Sequence, residues 1–391
     1  MCLCQIVEPR IDRHKLLNLI MERTSLAYLF LFIGVCQGTK WQASDFPQVT
    51  SVGMVAATGD GDCSTAYTDN SRGPGVGFSK DFGATWTFEL AGSLNTGIGV
   101  SESGNGVMSS IGKIYFREGF NGTWNVMEGR DISFSQSVSC FGDESFAVAG
   151  AHYPGGVTSD VVNGVAVTHN TGAEWEYVDI GLPYDTYPAR YSSFPSDDVW
   201  YVSAGSWKNT PGKKTFSMDE SEYAMNEMII YKNGNFTFQP AIVSDDLHFG
   251  AIAKSNDGGK TWEQVYNTLE YYFNAISCIS EDICMAVAEQ PYEAVALRTE
   301  DGGKTWNNVL TISDNKMASL MGCQMLSENE VWVSGGTFDS GLQGWFYHST
   351  DGGESWDKMT AAGASFGVSF ANGVGYSPAI FEVGASVNVY N

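Results

Sequence analysis

Ser255-Asn256-Asp257-Gly258-Gly259-Lys260-Thr261-Trp262 sits between two short alternating stretches, Gly250-Ala251-Ile252-Ala253 before it and Glu263-Gln264-Val265 after it. A polar, glycine-bearing octet flanked in this way reads as a turn joining two antiparallel strands. The Asp is placed to accept hydrogen bonds from backbone N–H groups of its own turn, the second Gly supplies a positive φ, and the Trp opens the outgoing strand with a large ring to bury. The octet recurs as Ser79-Lys80-Asp81-Phe82-Gly83-Ala84-Thr85-Trp86, Thr168-His169-Asn170-Thr171-Gly172-Ala173-Glu174-Trp175, Thr299-Glu300-Asp301-Gly302-Gly303-Lys304-Thr305-Trp306 and Ser349-Thr350-Asp351-Gly352-Gly353-Glu354-Ser355-Trp356. Residues Arg117 to Trp124 form a decayed sixth copy that keeps Gly122-Thr123-Trp124. An internal repeat of this kind sets the architecture before any functional argument begins.

Upstream of the turns a second unit recurs, in Ser139-Cys140 with Phe146-Ala147-Val148-Ala149-Gly150, in Ile276-Ser277-Cys278 with Cys284-Met285-Ala286-Val287, and in Val331-Trp332-Val333-Ser334-Gly335-Gly336. Added to the strand pair at each turn, these make four-stranded antiparallel blades, with the octet between the third and fourth strands. The long gap from Trp175 to Trp262 reads as one blade with an insertion at 206–247 that carries its own hairpin around Asn233-Gly234. The segment from Ser365 to Asn391 has the alternation of most of a further blade, and the region near Trp41 supplies its missing outer strand. The expectation is a single all-β propeller over residues 39–391, with seven blades preferred over six.

The octet resembles the Asp-box, or BNR repeat, of sialidases, sortilin-type receptors, xyloglucanases and photosystem II assembly factors. The residues that carry the motif are Asp81, Gly83 and Trp86; Asn170, Gly172 and Trp175; Asp257, Gly259 and Trp262; Asp301, Gly303 and Trp306; and Asp351, Gly353 and Trp356. The second copy departs from it with Asn170 for Asp and Glu174 for Thr. Over roughly residues 45–390 the plan is most similar to the single-domain assembly factors, which bind a membrane protein through an arginine-rich surface. That surface is missing from this sequence.

Met21-Glu22-Arg23, an apolar run from Leu26 to Val35 and the small residues of Cys36-Gln37-Gly38 read as a secretory signal peptide over about 21–38, within a leader of 1–38. A signal anchor is the alternative. The compartment expected is secreted or extracellular, with an endomembrane or plastid lumen as the other option and no stable membrane insertion. Beyond the leader lie Cys63, Cys140, Cys278, Cys284 and Cys323; an odd number in an oxidising compartment leaves at least one free thiol or an intermolecular bridge. Cys278 and Cys284, on adjacent strands joined by Ser280-Glu281-Asp282, are the expected disulfide. Asn121-Gly122-Thr123 and Asn235-Phe236-Thr237 are N-glycosylation sequons in predicted turns.

A formal net charge of −24 disfavours a nucleic-acid partner, since phosphate contacts need clustered Lys and Arg. Sialidase chemistry needs three convergent arginines, and only Arg72, Arg117, Arg130, Arg190 and Arg298 follow the leader. A two-carboxylate glycosidase stays open, with Asp60 and Asp62, Asp197-Asp198 and Asp245-Asp246 as the candidate pairs, although each reads as a solvated turn or an Asx cap before it reads as a catalytic pair. No catalytic triad, metal cluster or phosphate-binding loop stands out, and no metal or cofactor is expected. The leading functional expectation is a non-catalytic, monomeric propeller that binds a protein or a glycan through one axial face. The segments 151–162 and 206–247 both follow second strands and so share a face, where Tyr153, Trp207, Phe216, Tyr223 and Trp345 are the aromatic candidates. Their alternative role is local packing. A glycoside hydrolase and a photosystem II assembly factor-like protein are the other two functional readings.

Overall fold

The computed structural model describes residues 41–59, 61–127, 130–132, 135, 137–154, 161–208, 222–225, 229–232, 235–238, 247–290, 293–313, 318–337, 342–381 and 384–390. The expected leader 1–38 with its signal peptide, Phe216 and Asn233-Gly234 lie outside these residues.

Seven antiparallel sheets follow one another round a ring. Blade I holds Ser51–Ala57, Cys63–Thr68, Gly75–Ser79 and Thr87–Leu90; blade II holds Asn95–Val100, Gly106–Ser110, Lys113–Arg117 and Asn125–Val126. Blade III is Ser137–Cys140, Phe146–Pro154, Val162–Thr168 and Glu176–Asp179, with Arg130–Ile132 added beside the far end of its second strand. Blade IV is Ala189–Ser193, Trp200–Lys208, Leu247–Ser255 and Glu263–Thr268. Blade V is Tyr272–Cys278, Cys284–Gln290, Glu293–Thr299 and Asn307–Ser313, and blade VI is Ala318–Met325, Val331–Thr337, Gln343–Ser349 and Asp357–Ala362.

Blade VII is built from both ends of the propeller. Ala364–Ser365 and Ser369–Ala371, Val374–Ile380 and Ala385–Tyr390 are its first three strands, and Trp41–Ala43 pairs antiparallel with the last of them, Trp41 opposite Tyr390. Trp41 is 5% exposed; its ring stacks on Phe346 at 3.9 Å and meets Trp332 and Phe370 edge-on. The ring is thus closed by hydrogen bonds and by an aromatic cluster shared with blade VI.

Sheets packed on both faces need continuous apolar runs in their middle strands. The sequence provides them: every residue of Val331–Thr337 and all but the last of Cys284–Gln290 are buried, whereas every residue of the outer strand Asn307–Ser313 is exposed or half-buried. Between blades V and VI, Met285, Val287, Ala294 and Ala296 face Leu320, Val331, Val333 and Trp345.

First strands are tied to the next blade by side-chain bonds to backbone. The Ser139 hydroxyl donates to the Ser192 carbonyl at 2.7 Å, and Cys278 and Met325 N–H groups donate to Ser193 and Ser277 at 2.9 and 3.0 Å. Gln324 brackets Phe370 through both ends of its amide, and the Ala57 N–H donates to Ser369 at 3.0 Å. These contacts stitch blade III to IV, IV to V, V to VI, VI to VII and VII to I.

The insertion leaves blade IV between its second and third strands. Their ladder runs as far as Lys208 opposite Leu247, so pairing takes up the first residues of the segment read from sequence as an excursion. Within it Glu222–Met225, Ile229–Lys232 and Asn235–Phe238 form a separate three-stranded sheet.

Candidate binding face

The five Asp-box turns are built alike. In the first, the Ser79 hydroxyl donates to Asp81 Oδ1 at 3.0 Å and accepts from the Gly83 N–H at 2.9 Å. Thr85 closes the turn, its N–H donating to Asp81 Oδ1 at 2.8 Å and its hydroxyl to Oδ2 at 2.6 Å, while Trp86 Nε1 donates to the Gly83 carbonyl at 3.0 Å. The same bonds to the Asp recur at Asp257, Asp301 and Asp351. These donors hold the carboxyls below the ordinary carboxylate range, down to about 2 at Asp257 and Asp351. Asn170 accepts only the Glu174 N–H and the Thr168 hydroxyl, because Glu174 brings no hydroxyl back to it. Gly303 has φ 90°, and a Cβ there would lie 3.1 Å from Val265. A side chain at this point meets both strain and a neighbouring blade.

Neighbouring boxes are also linked. Lys254 precedes the third box, and its Nζ donates to the Gly302 carbonyl of the fourth at 3.0 Å; the Arg298 guanidinium, before the fourth box, lies 3.3 Å from where a Cβ on Gly352 would sit. These turns therefore serve blade assembly on the ring face that carries the connections between third and fourth strands.

The opposite face carries the connections between second and third strands and the entry of each first strand. Here the nine-residue second strands Phe146–Pro154 and Trp200–Lys208 extend beyond those of their neighbours. The accessory sheet at 222–238 interrupts the same connection of blade IV. The channel between the first strands is narrow, about 130 Å³, and all seven blades contribute to it; its wall includes Ile98, Val138, Tyr191, Ala275, Cys323 and Val368 and, among the described residues, no carboxylate.

One residue along the chain from the channel-lining Tyr191, Ala275 and Gly322, a largely buried polar cluster spans three blades. First strands bulge between Ala189 and Tyr191, between Phe273 and Ala275, and between Leu320 and Gly322, so Arg190, Asn274 and Met321 leave the ladder. Asn274 Nδ2 donates to the Leu320 carbonyl at 3.0 Å. The Arg190 guanidinium lies 4.3 Å from the Tyr272 ring. Glu289, 9% exposed at the end of the second strand of blade V, stands opposite Tyr272 and accepts the Ser319 hydroxyl. Burial pushes its carboxyl up to about 8, against the Asn274 hydrogen bond and the Arg190 charge that pull it down. The raised value favours the protonated carboxyl in spite of the neighbouring guanidinium.

Of the residues singled out from sequence, Trp345 lies away from the solvent: it is 3% exposed in the core between blades V and VI, with Lys358 Nζ 4.3 Å from its ring. Tyr153 and Trp207 are each the last residue but one of a second strand and Tyr223 belongs to the accessory sheet, all three on backbone that serves the insertion face. Asp197 and Asp198 are turn residues whose carbonyls accept from Trp200 Nε1 and the Gly258 N–H. Asp60 and the pair Asp245-Asp246 lie outside the described residues. Cys278 and Cys284 are joined by a disulfide, and Cys63, Cys140 and Cys323 are free. Among the described residues no three His, Cys, Asp or Glu side chains are grouped to hold a metal, and no helix is long and apolar enough to cross a membrane. Sequence reading missed the Arg190–Glu289 cluster; its signal was a lone Glu closing the otherwise apolar run Met285-Ala286-Val287-Ala288.

Seven antiparallel blades, five of them with an intact box between the third and fourth strands, define the chain as an Asp-box β-propeller. The BNR/Asp-box repeat model matches residues 347–358. No curated protein matches the chain. Among solved structures it is similar to YCF48 bound to D1 peptide, at 12% identity and TM-score 0.54, covering 90% of this chain and 96% of that one. It is also similar to YCF48 from Cyanidioschyzon merolae, at 13% identity and TM-score 0.50, covering 90% and 98%.

Proposed function

We propose that this chain is a non-catalytic, secreted or luminal propeller that holds a segment of a protein partner at its insertion-bearing face. The observation that carries the proposal is the asymmetry between the two faces. One is occupied by self-bonded box turns that clamp blade to blade, while the other receives the extended second strands of blades III and IV, the connection that carries the accessory sheet, and the ends of the strands that hold the polar cluster of Arg190 and Glu289. Connections carried on a rigid scaffold are where recognition concentrates. The likeness to a propeller solved with a peptide bound makes a protein segment the favoured ligand over a glycan. Entry into a secretory or luminal compartment rests on the leader, and the Cys278–Cys284 disulfide is compatible with it.

A peptide array probed with the purified protein tests the reading, alongside a variant whose residues 209–246 are replaced by a short glycine-serine link. Peptides retained by the parent and lost by the variant support it. Retention unchanged by the deletion and by Arg190→Ala, or release of reducing sugar from a polysaccharide panel, overturns it.

A further inference from the structure

The decayed sixth box differs from the five intact ones in a way that gives it another use. In four intact copies the hydroxyl of the seventh residue, Thr85, Thr261, Thr305 or Ser355, is bonded to the box Asp at 2.5–2.7 Å. In all five the fifth residue is a buried glycine with positive φ, packed under the ring face. In the copy at 117–124 the third residue is Gly119, so no carboxylate is present to take the Thr123 hydroxyl, and the fifth residue is Asn121.

The turn is instead held through its backbone. The Gly122 N–H donates to the Gly119 carbonyl at 3.2 Å, the Gly119 N–H to Asn105 Oδ1 at 2.8 Å, and Trp124 packs under the Arg117 guanidinium at 4.8 Å. A Cβ on Gly122 would fall 2.1 Å from the Glu118 carbonyl, so the residue between Asn121 and Thr123 must be glycine. Asn121 and Thr123 are both exposed, and neither side chain forms a hydrogen bond among the described residues. No bond that holds the turn is lost when Asn121 is modified.

We infer that Asn121 is an N-linked glycan acceptor, and that the glycan covers the box face of the ring while leaving the insertion face open to its partner. The donor is an oligosaccharide activated as a polyprenyl pyrophosphate. The Asn121 amide nitrogen forms a bond to the anomeric carbon as the bond from that carbon to the phosphate oxygen breaks; the pyrophosphate lipid leaves and the amide proton passes to base. Transfer takes place on the extended chain, so the native fold has to accommodate the glycan once it is attached, which an exposed turn does. Asn121 stands in such a turn, between the third and fourth strands of blade II.

The inference rests on the reading that the chain enters a secretory compartment, and the experiment separates the two. The full chain is expressed in a eukaryotic secretory host both with its own leader and with residues 1–38 replaced by a strong cleavable signal peptide, and intact mass is compared before and after amidase removal of N-glycans. Measured in an Asn235→Gln background, because the second sequon lies at the start of the accessory strand Asn235–Phe238 and not in the turn expected from sequence, one glycan's mass is expected on the secreted protein, lost in Asn121→Gln and in Thr123→Val and retained in Thr123→Ser. An unchanged glycan mass in Asn121→Gln, or a secreted protein with no glycan at all, overturns the inference. Glycosylation at Asn121 only when the substituted leader is used sustains the site and refutes the reading of the natural leader.

Discussion

Lys254 Nζ donates to the Gly302 carbonyl at 3.0 Å, so a cation from the blade IV strand that enters one box sits against the next box along the ring. Gly302 is at φ 74°, and a Cβ there would meet Lys254 Nζ at 2.8 Å and Asp282 Oδ1 at 2.9 Å. Gly302→Ala is expected to lower stability by about 2–4 kcal/mol, joining left-handed strain to displacement of the cation. Gly373→Ala, at φ 81° with nothing within 4 Å of its Cβ, is expected to show the strain alone, about 1–2 kcal/mol. Equal losses in urea denaturation would show that the Lys254 contact contributes nothing.

The box carboxylates set an acid limit. Their folded pKa values are depressed, to about 2 at Asp257 and Asp351, so the stability they add is present above the ordinary Asp value and drains away as pH falls toward 2. Asn170 shows that an amide keeps the acceptor for the turn N–H. Asp257→Asn is therefore expected to be milder than Asp257→Ala in denaturation midpoint at pH 7, and to flatten the acid limb.

His152 acts in a higher window. It is fully buried against Tyr177, Nε2 lies 3.1 Å from the Val148 carbonyl, and desolvation takes its pKa down to about 4. A neutral folded imidazole favours the native state above the unfolded value of about 6.5, and that advantage is lost as pH falls from there to about 4. The loss should reach about 3 kcal/mol, by 1.36 kcal/mol per pH unit. An imidazole NMR titration of His152 near pH 6.5 would refute this.

Glu289 runs the other way. Its raised pKa, about 8, means that stability is complete below the unfolded value and declines as pH rises through 8. Glu289→Gln keeps the size and removes the ionisation. The parent is expected to lose denaturation midpoint between pH 5 and pH 9 relative to the variant, and parallel profiles would mean that Arg190 already holds Glu289 ionised.

Closure of the ring is open to a direct test. Trp41→Ala removes a buried ring from the cluster with Phe346, Trp332 and Phe370, and a loss of about 3–5 kcal/mol is expected. Hydrogen exchange should rise first in Ala385–Tyr390, which pairs with the Trp41 strand. Exchange that rises evenly over all seven blades would argue against a local latch.

The octets made the third and fourth strands legible because Asp, Gly and Trp hold fixed stations set by backbone chemistry within one turn. The single blade across 189–268 followed from Trp200-Tyr201-Val202, and the outer strand at Trp41 from a ring that lacked one. The polar cluster was not legible, because Arg190, Asn274, Glu289 and Ser319 are brought together by three bulges and two blade boundaries, and no local periodicity encodes such a meeting. Trp345 misled for a related reason: it stands near a connection in the chain, yet its strand turns the ring into the space between two blades.

Pairing of Trp41–Ala43 with Ala385–Tyr390 also has a temporal meaning. A ribosome delivers the first of these strands some 340 residues before its partner, so blade VII cannot form while most of the chain is being made. Blades I to VI have the chance to assemble as an open arc first, with the aromatic surface of Phe346 and Trp332 on blade VI uncovered until blade VII, with its Phe370, arrives and pairs with the Trp41 strand. For that interval the nascent protein presents its stickiest surface, and a chaperone that recognises exposed aromatic rings would find its site there.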